Sequence, residues 1–459
     1  MVQAAPQILR SSFVTTRVIR PVDLVAPGLV QVDLTSGQTA RPGRHPAPQP
    51  APCCAVEARC DGPARLAWIA GDVTLAGVYD GATAYLEVTV GGATHQHRSR
   101  RVARARGRVD RLGLTLTGTH LTVFTSTDGV WTARARLDLA ERRRPVLVDT
   151  RDDGWLADLQ VAYAGRLGEL RAGAFGQLGL RDLRLVTWVD GTPYASGGRP
   201  FLTATSAGPG FFDTAHTSVW ELDPDGLTLT HRSDLFFRRR GTVYADHATH
   251  LVRDGEGWLV ATSTWGDFDN GPGATVGVTT ARSTADLLSG RHVLDSTPLS
   301  LPTTGLRSVG VWDPHLVRTK GGWLVGYVSA RKFFDFHPVV ATGPSLDSLA
   351  LRAAANDRRA TEGTTLLRVA DDGEAPAWVV LASDGRDNPR GSRAAYPVFD
   401  LDLRQTGTLA APYPSNIPWP TLVPHGEQWL LVGFDGEPYG GSLLGYGTHG
   451  RVVISKQVG

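Results

Sequence analysis

The sequence predicts an all-β protein, an N-terminal β-sandwich followed by a five-bladed β-propeller, on three observations. A strand, a tight turn and a second strand recur five times after residue 173. Fifty-three glycines and 29 prolines punctuate short apolar runs, and both residue types weaken helix interiors while serving turns. No long amphipathic helical pattern is present. At 459 residues the chain is long for one core and suits two domains.

The clearest repeat is Asp313-Pro314-His315-Leu316-Val317-Arg318, which turns at Gly321-Gly322 into the run from Trp323. A second copy begins at Asp246-His247, turns at Asp254-Gly255 and returns from Trp258. With these as a template, Asp182 opens a copy that turns at Asp190-Gly191 into residues 193–196, and Glu362 opens one that turns near Asp372-Gly373 into the run from Trp378. Pro418-Trp419 opens the last, without an acid, and Trp429 begins its return. The leading positions are separated by 64, 67, 49 and 56 residues, a period that fits propeller blades of about four strands. The propeller is therefore expected over 173–459. Trp258, Trp323, Trp378 and Trp429 are expected to pack between blades.

Upstream, β-like runs at 14–19 and 29–34 precede a Pro-rich loop over 35–52. Short alternating strands follow from Arg65 to Leu139, separated by turns at Asp80-Gly81, Gly91-Gly92, Gly118-Thr119 and Asp128-Gly129, the spacing of a β-sandwich. This domain is expected over 1–165, with 140–172 as the join. Ser126-Thr127-Asp128-Gly129-Val130-Trp131 resembles an element of concanavalin-like or laminin-G-like sandwiches, which implies glycan binding or a scaffold role for this part. Cys53, Cys54 and Cys60 are expected in a loop as free thiols, because three clustered cysteines do not make a disulfide framework. The arginine runs at 98–108, 142–144 and 238–240 are expected on solvated edge strands.

A formal charge of +2 gives no electrostatic case for nucleic acid or membrane partners. No window approaches the ~18 apolar residues of a membrane span. As written, the N-terminus shows no signal pattern, so a cytoplasmic location is expected, or secretion if a signal has been trimmed. The sequence does not set the oligomeric state.

In a propeller the innermost strand of each blade runs along the central channel, so the residues that open those strands converge at one end of the axis. Asp182, Asp246, Asp313 and Glu362 are thereby expected to form one cluster. Glycosidic hydrolysis needs two carboxyls in different protonation states, one protonating the departing oxygen and one activating water or attacking the sugar. A third nearby carboxylate raises the acid's pKa by repulsion.

Asp313-Pro314 and Thr361-Glu362-Gly363 resemble the blade-opening motifs of glycoside hydrolase family 43 and its clan relatives, five-bladed propellers that include arabinanases, arabinofuranosidases and β-xylosidases. The resemblance implies Glu362 as general acid, Asp313 as the carboxylate that tunes it, and Asp182, preceded by Arg181 as in the family's Arg-Asp-Pro, as the base for inversion. Leu183 stands where the family has proline. Asp246 is the runner-up for the base and otherwise a substrate contact. Carbohydrate would be held by Trp312, His315, Tyr244, Trp419 and Phe212, with Phe211, Trp265, Phe333 and Phe334 as further aromatics of the rim. His216, His250 and His337 are polar rim candidates. No cofactor is expected, and no metal, because Ser415-Asn416-Ile417-Pro418 lacks the last-blade histidine that supports a central calcium in some relatives. The implied substrate is a furanose or pentose glycoside. A non-catalytic glycan binder, an interaction scaffold and a fructan-active or phosphorolytic relative are the alternatives; the chain has no Trp-Met-Asn-Asp-Pro-Asn run of the kind expected for fructans.

Overall fold

A computed structural model describes residues 11–34, 42–140, 148–269, 271, 273–369, 376–414, 417–444 and 449–458. The expected turn at Asp372-Gly373, the Arg142-Arg143-Arg144 run and the Ser415-Asn416 pair lie outside the described residues. The described elements are β-strands with one short helix, Asp153–Ala157, and two 3-10 turns. No helix among them is long and apolar enough to cross a membrane.

Five antiparallel sheets form the propeller blades. The first contains Leu180–Leu185, Arg199–Ser206, His216–Asp223 and Thr228–Arg239. The second runs from His247–Asp254 through Gly257–Ser263 and Val278–Ser283 to Thr297–Leu299. In the third, Gly310–Thr319, Gly322–Lys332, Asp335–Gly343 and Ala350–Ala354 follow in order. The fourth is Thr361–Val369, Ala377–Asp384, Tyr396–Phe399 and Gln405–Leu409. Apolar clusters fill the spaces between successive blades, with Trp258 between the first and second and Trp323 between the second and third. Trp378 and Trp429 lie half-buried against the next two clusters. The first blade departs from the expected hairpin. Its inner strand pairs with Arg199–Ser206, whereas Thr187–Trp188 crosses to lie parallel to the inner strand of the second blade.

The fifth blade is closed by the beginning of the chain. Thr421–His425, Gln428–Phe434 and Val452–Val458 are joined by Ser12–Ile19 as outermost strand, with Ser12 opposite Val458 and Ile19 opposite Val452. Phe13 is buried among Leu409, Leu422 and Leu431, and its N–H donates to the Ala410 carbonyl. The expected 1–165 boundary is therefore corrected: residues 12–19 belong to the propeller, because their backbone completes the sheet of the fifth blade and Phe13 is buried in the adjoining apolar cluster.

The other N-terminal strands make one sheet bent over on itself. Cys53–Ala70 and Gln160–Gln177 run antiparallel along the bend. The first half of Cys53–Ala70 pairs with Arg111–Thr117 and the second with Val73–Tyr79, so each half carries one layer. The corner lies at Gly62 and Gly165, with φ +104° and +110°. A Cβ on Gly165 would fall 2.5 Å from the Pro63 carbonyl oxygen, so only glycine allows this turn. Across the fold, a Cβ on Gly77 would meet Val123 at 2.9 Å and Leu114 at 3.2 Å, which shows how closely the layers approach. Three further expectations are corrected. The cysteines are buried in a strand, residues 160–172 are strand and not a join, and 98–108 is loop beyond the edge strand Ala93–His97. A shared apolar cluster containing Leu24, Cys53, Phe175, Phe236 and Ala245 locks this sheet to the propeller.

Candidate active site

Four inner strands break register at the same place. The ladder shifts between Arg181 and Arg184, His247 and His250, Trp312 and His315, and Glu362 and Thr365. Within each bulge one residue takes positive φ: Asp182 (52°), Ala248 (59°), Asp313 (57°) and Gly363 (72°). Aspartate tolerates this left-handed conformation better than most side chains. The bulge re-aims its carboxyl from the ladder into the channel mouth. Glu362 comes from the position before its bulge glycine.

One cavity of about 680 Å³ is lined by Asp182, Asp313 and Glu362 together with Arg181, Phe212, Trp312 and Trp419. The structure thus brings together the three expected carboxyls and three of the expected aromatics. Phe211, Trp265, Phe333 and Phe334 also line it. Glu362 depends on its glycine neighbour. The indole of Trp419 packs against Gly363 so closely that a Cβ there would lie 2.6 Å from Cδ1. Gly363→Ala is expected to cost about 1–3 kcal/mol through overpacking, besides its left-handed strain, and to displace Trp419 from Glu362. Urea unfolding, with tryptophan fluorescence reporting the ring, measures both.

The carboxyls share one electrostatic problem. Burial pushes Glu362 up to about 8, the charge of Asp182 adds to the rise, and the indole N–H groups of Trp312 and Trp419, then Arg181, oppose it. The Trp419 N–H has no other partner. Asp313 is raised well above the usual carboxylate range, first by burial and then by Glu362 and Asp182, against Arg184 and the Gly363 N–H. Its Oδ2 is buried without a hydrogen bond. Asp182 is also raised by burial, while Arg181, a hydrogen bond from Thr205 and Arg184 pull it back. Charge separation follows from this: Asp182, on which both guanidinium groups act, is the carboxyl best held ionised, and Glu362 the one best held protonated.

Two arginines complete the site. Arg184, two positions past Asp182, is fully buried and donates to the Thr364 carbonyl at 3.1 Å, with its guanidinium 4.8 Å from the centre of the Trp419 ring. Burial lowers its pKa to about 10, against the pull of Asp313 and Asp182. Its Nε and Nη2, like Nε and Nη2 of Arg181, have no hydrogen-bond partner. The sequence reading used Arg181 only as part of a motif and passed over Arg184. An arginine inside an apolar inner strand is the signal that could have found it, since a buried guanidinium demands nearby carboxylates.

Three expected contacts are corrected. Asp246 is not in the cavity. Its Oδ2 and Oδ1 accept from Arg239 at 2.7 and 3.0 Å, and Oδ1 also accepts from the Gly266 N–H at 3.0 Å. Burial raises Asp246 to about 6 against the pull of Arg239, and the two-point bond with a third donor holds it charged. The bulge position of the second blade is Ala248, two residues on. Tyr244 lies outside the cavity too, with the Arg239 and Arg151 guanidiniums 3.9 and 4.9 Å from its ring centre. His315 sits one layer below the acids, stacked on His250 at 4.1 Å with its Nδ1 accepting from the Leu366 N–H. Burial pushes both imidazoles well down, so they are neutral spacers in the channel. His216 is buried between Cys53 and Asp234, and His337 beside Arg331. Arg239, expected on a solvated edge, is largely buried.

No family model and no curated protein matches the chain. Among solved structures it is similar to a mutant GH32 beta-fructofuranosidase of Bombyx mori in complex with sucrose, at 12% identity and TM-score 0.42, covering 61% of this chain and 60% of that one. It is similar to a GH43_1 enzyme from Xanthomonas citri complexed with xylose, at 13% and 0.41, covering 61% and 87%. A Bacillus subtilis levansucrase in complex with oligosaccharides gives 9% and 0.42, covering 61% and 86%. The chain spans 60% of the length of the first of these. The five-bladed propeller rests on the chain's own strand pairing.

Proposed function

We propose that the chain is a glycoside hydrolase in which Glu362 is the general acid and Asp182 the base. The observation that carries this reading is the convergence of three carboxyls from three blades in one aromatic-lined cavity, with Glu362 neutral near pH 7 and Asp182 beside two arginines. Glu362 passes its proton to the glycosidic oxygen as the anomeric C–O bond breaks. Asp182 takes a proton from the water that adds to the anomeric carbon from the opposite side, inverting it. The charge of Asp182 adds to burial in keeping Glu362 from ionising early, and Asp313, raised by burial and then by both neighbours, is the third carboxyl of the cluster. Trp312, Trp419 and Phe212 offer flat faces to the C–H surfaces of the sugar. A furanose or pentose glycoside is the proposed substrate, on the motif resemblance at Asp313-Pro314 and Glu362-Gly363.

Nitrophenyl glycosides of arabinofuranose, xylose, galactose and fructose test the activity and the sugar together. Proton NMR of the first-formed anomer then tests the stereochemistry. Inversion is expected, with Asp182→Asn lowering turnover roughly 10²–10⁴-fold; the asparagine accepts the left-handed backbone at this position, so the fold is expected to survive. First-formed product with the substrate's configuration would make Asp182 a nucleophile instead.

A further inference from the structure

The cavity wall contributed by the second and third blades is almost wholly aromatic. Trp265 and Phe268 pack at 5.1 Å between ring centres, Phe268 and Phe333 at 4.8 Å, Trp265 and Trp312 at 5.3 Å, and Trp312 and Phe336 at 5.6 Å. Of the polar side chains that line the cavity, Asp313 follows Trp312 in sequence, His247 stacks on Trp265 at 6.4 Å, and Arg181 lies 5.8 Å from the ring of Phe212, which meets Trp265 at 4.5 Å. The imidazole of His247 is already engaged by the Phe212 carbonyl and Thr205, and burial pushes it down to about 3, so it carries no charge. Arg386 and Asp387 also line the cavity, following Gly385, whose N–H donates to the carbonyl of Ala360 beside Phe336.

At the mouth the wall ends in a turn that turn chemistry does not explain. Phe333-Phe334 is the two-residue connection between Gly322–Lys332 and Asp335–Gly343, with Lys332 paired to Asp335. Such connections favour glycine or asparagine at positive φ, and neither phenylalanine has positive φ. Phe334 is 71% exposed, the most exposed large apolar side chain among the described residues. Arg331 braces the neck of the hairpin through Asp335 at 3.0 Å. Phe333 and Phe334 thus carry the aromatic wall out to the rim of the cavity, where Phe334 leaves an apolar face in solvent.

We infer that this wall is a binding site for an apolar leaving group, so that the substrates are glycosides of an alkyl or aromatic alcohol and not of a second sugar. The inference rests on the hydrolase reading, which places the leaving oxygen at Glu362. Trp312, whose indole N–H favours the charged form of Glu362, is itself part of the wall. The group departing from that oxygen therefore emerges against Trp312 and then Phe333 and Phe334. A departing sugar would strip water from its hydroxyls without finding partners there, an unfavourable exchange, whereas each methylene buried is favourable.

Octyl and methyl glycosides of the sugar that the nitrophenyl panel identifies provide the test, because their leaving oxygens are chemically alike and they differ in apolar length. The octyl glycoside is expected to exceed the methyl glycoside in kcat/KM by at least about tenfold, and Phe334→Ser to lower that ratio several-fold, through KM. Calorimetric titration of the Glu362→Gln protein with both compounds reads the same preference without turnover. Ratios near one by both readouts, with hydrolysis intact, would overturn the apolar site and leave the hydrolase standing. Failure to cleave any glycoside, with no binding of either compound, would overturn both.

Discussion

Glu362→Gln is expected to lower kcat by roughly 10²–10⁴-fold on glycosides with poor leaving groups, the contribution of a positioned proton donor. Glycosides with a strongly acidic phenol as leaving group need little protonation and are expected to lose far less. The amide fills the same space beside Trp312 and Trp419, so the loss reports chemistry and not packing. The pH profile sharpens the test. Glu362 must be protonated to act, and burial holds it so up to about pH 8; activity is therefore expected to fall as pH rises through about 8, and that limb is expected to vanish in the variant. Stability responds with its own sign. A carboxyl whose folded pKa lies above its unfolded value stabilises fully below the unfolded value, near 4.5, and loses that contribution as pH climbs through about 8. The unfolding midpoint of the variant is thus expected to gain on that of the wild type between about pH 5 and 9. Unchanged turnover on poor leaving groups would remove Glu362 from the proton-donor role.

Removal of residues 1–22 is expected to destabilise the fold strongly although it leaves every inner strand in place. It strips the outer strand from the fifth blade, bares the edge of Val452–Val458 and empties the site of Phe13. Loss of a buried phenylalanine alone costs about 3–5 kcal/mol, against a total stability of roughly 5–15 kcal/mol for a domain. Low soluble yield and a sharply lower urea midpoint are the expected measurements. Deleting 1–165 is expected to fail more completely, because it also exposes the apolar cluster around Phe175, Phe236 and Ala245. Rescue discriminates the cause. Ser12 lies opposite Val458, so residues 11–20 appended after the C-terminus through a short turn would reform the pair as a hairpin. Recovery of the midpoint is expected, and a native midpoint in the truncated protein without rescue would sink the account.

The propeller was legible because four of its five blades write their own hairpins locally. A tryptophan returns after a tight turn in four of them, and in the third the strand, turn and return strand fall as read from residues 310–328. What sequence could not convey was register. Asp246 looks like Asp182 and Asp313 when acids are counted, but the bulge decides what reaches the cavity, and in the second blade that place is taken by Ala248, which carries no turn signature. Asp190-Gly191 announced a hairpin and does make a turn, yet the first blade uses Arg199–Ser206 as its return strand. Ser12–Ile19 has the pattern of a strand but nothing that says which sheet takes it, since pairing over such a separation leaves no local mark. Prolines around Cys53 point to a loop, whereas the largely buried run from Cys53 to Ala70 is a strand whose bend falls at Gly62. Arg184 escaped because its meaning lies in carboxyls on other blades.

The closure of the last blade also sets an order of events during synthesis. Ser12 emerges 446 residues before its partner Val458, which at about 5–20 residues per second is roughly 20–90 s of waiting. Through that interval Val14 and Val18 sit on an open edge that neighbouring nascent chains can pair with. The ring cannot close until Val452–Val458 has been made, so completion of the fold depends on how well that early strand is shielded until then.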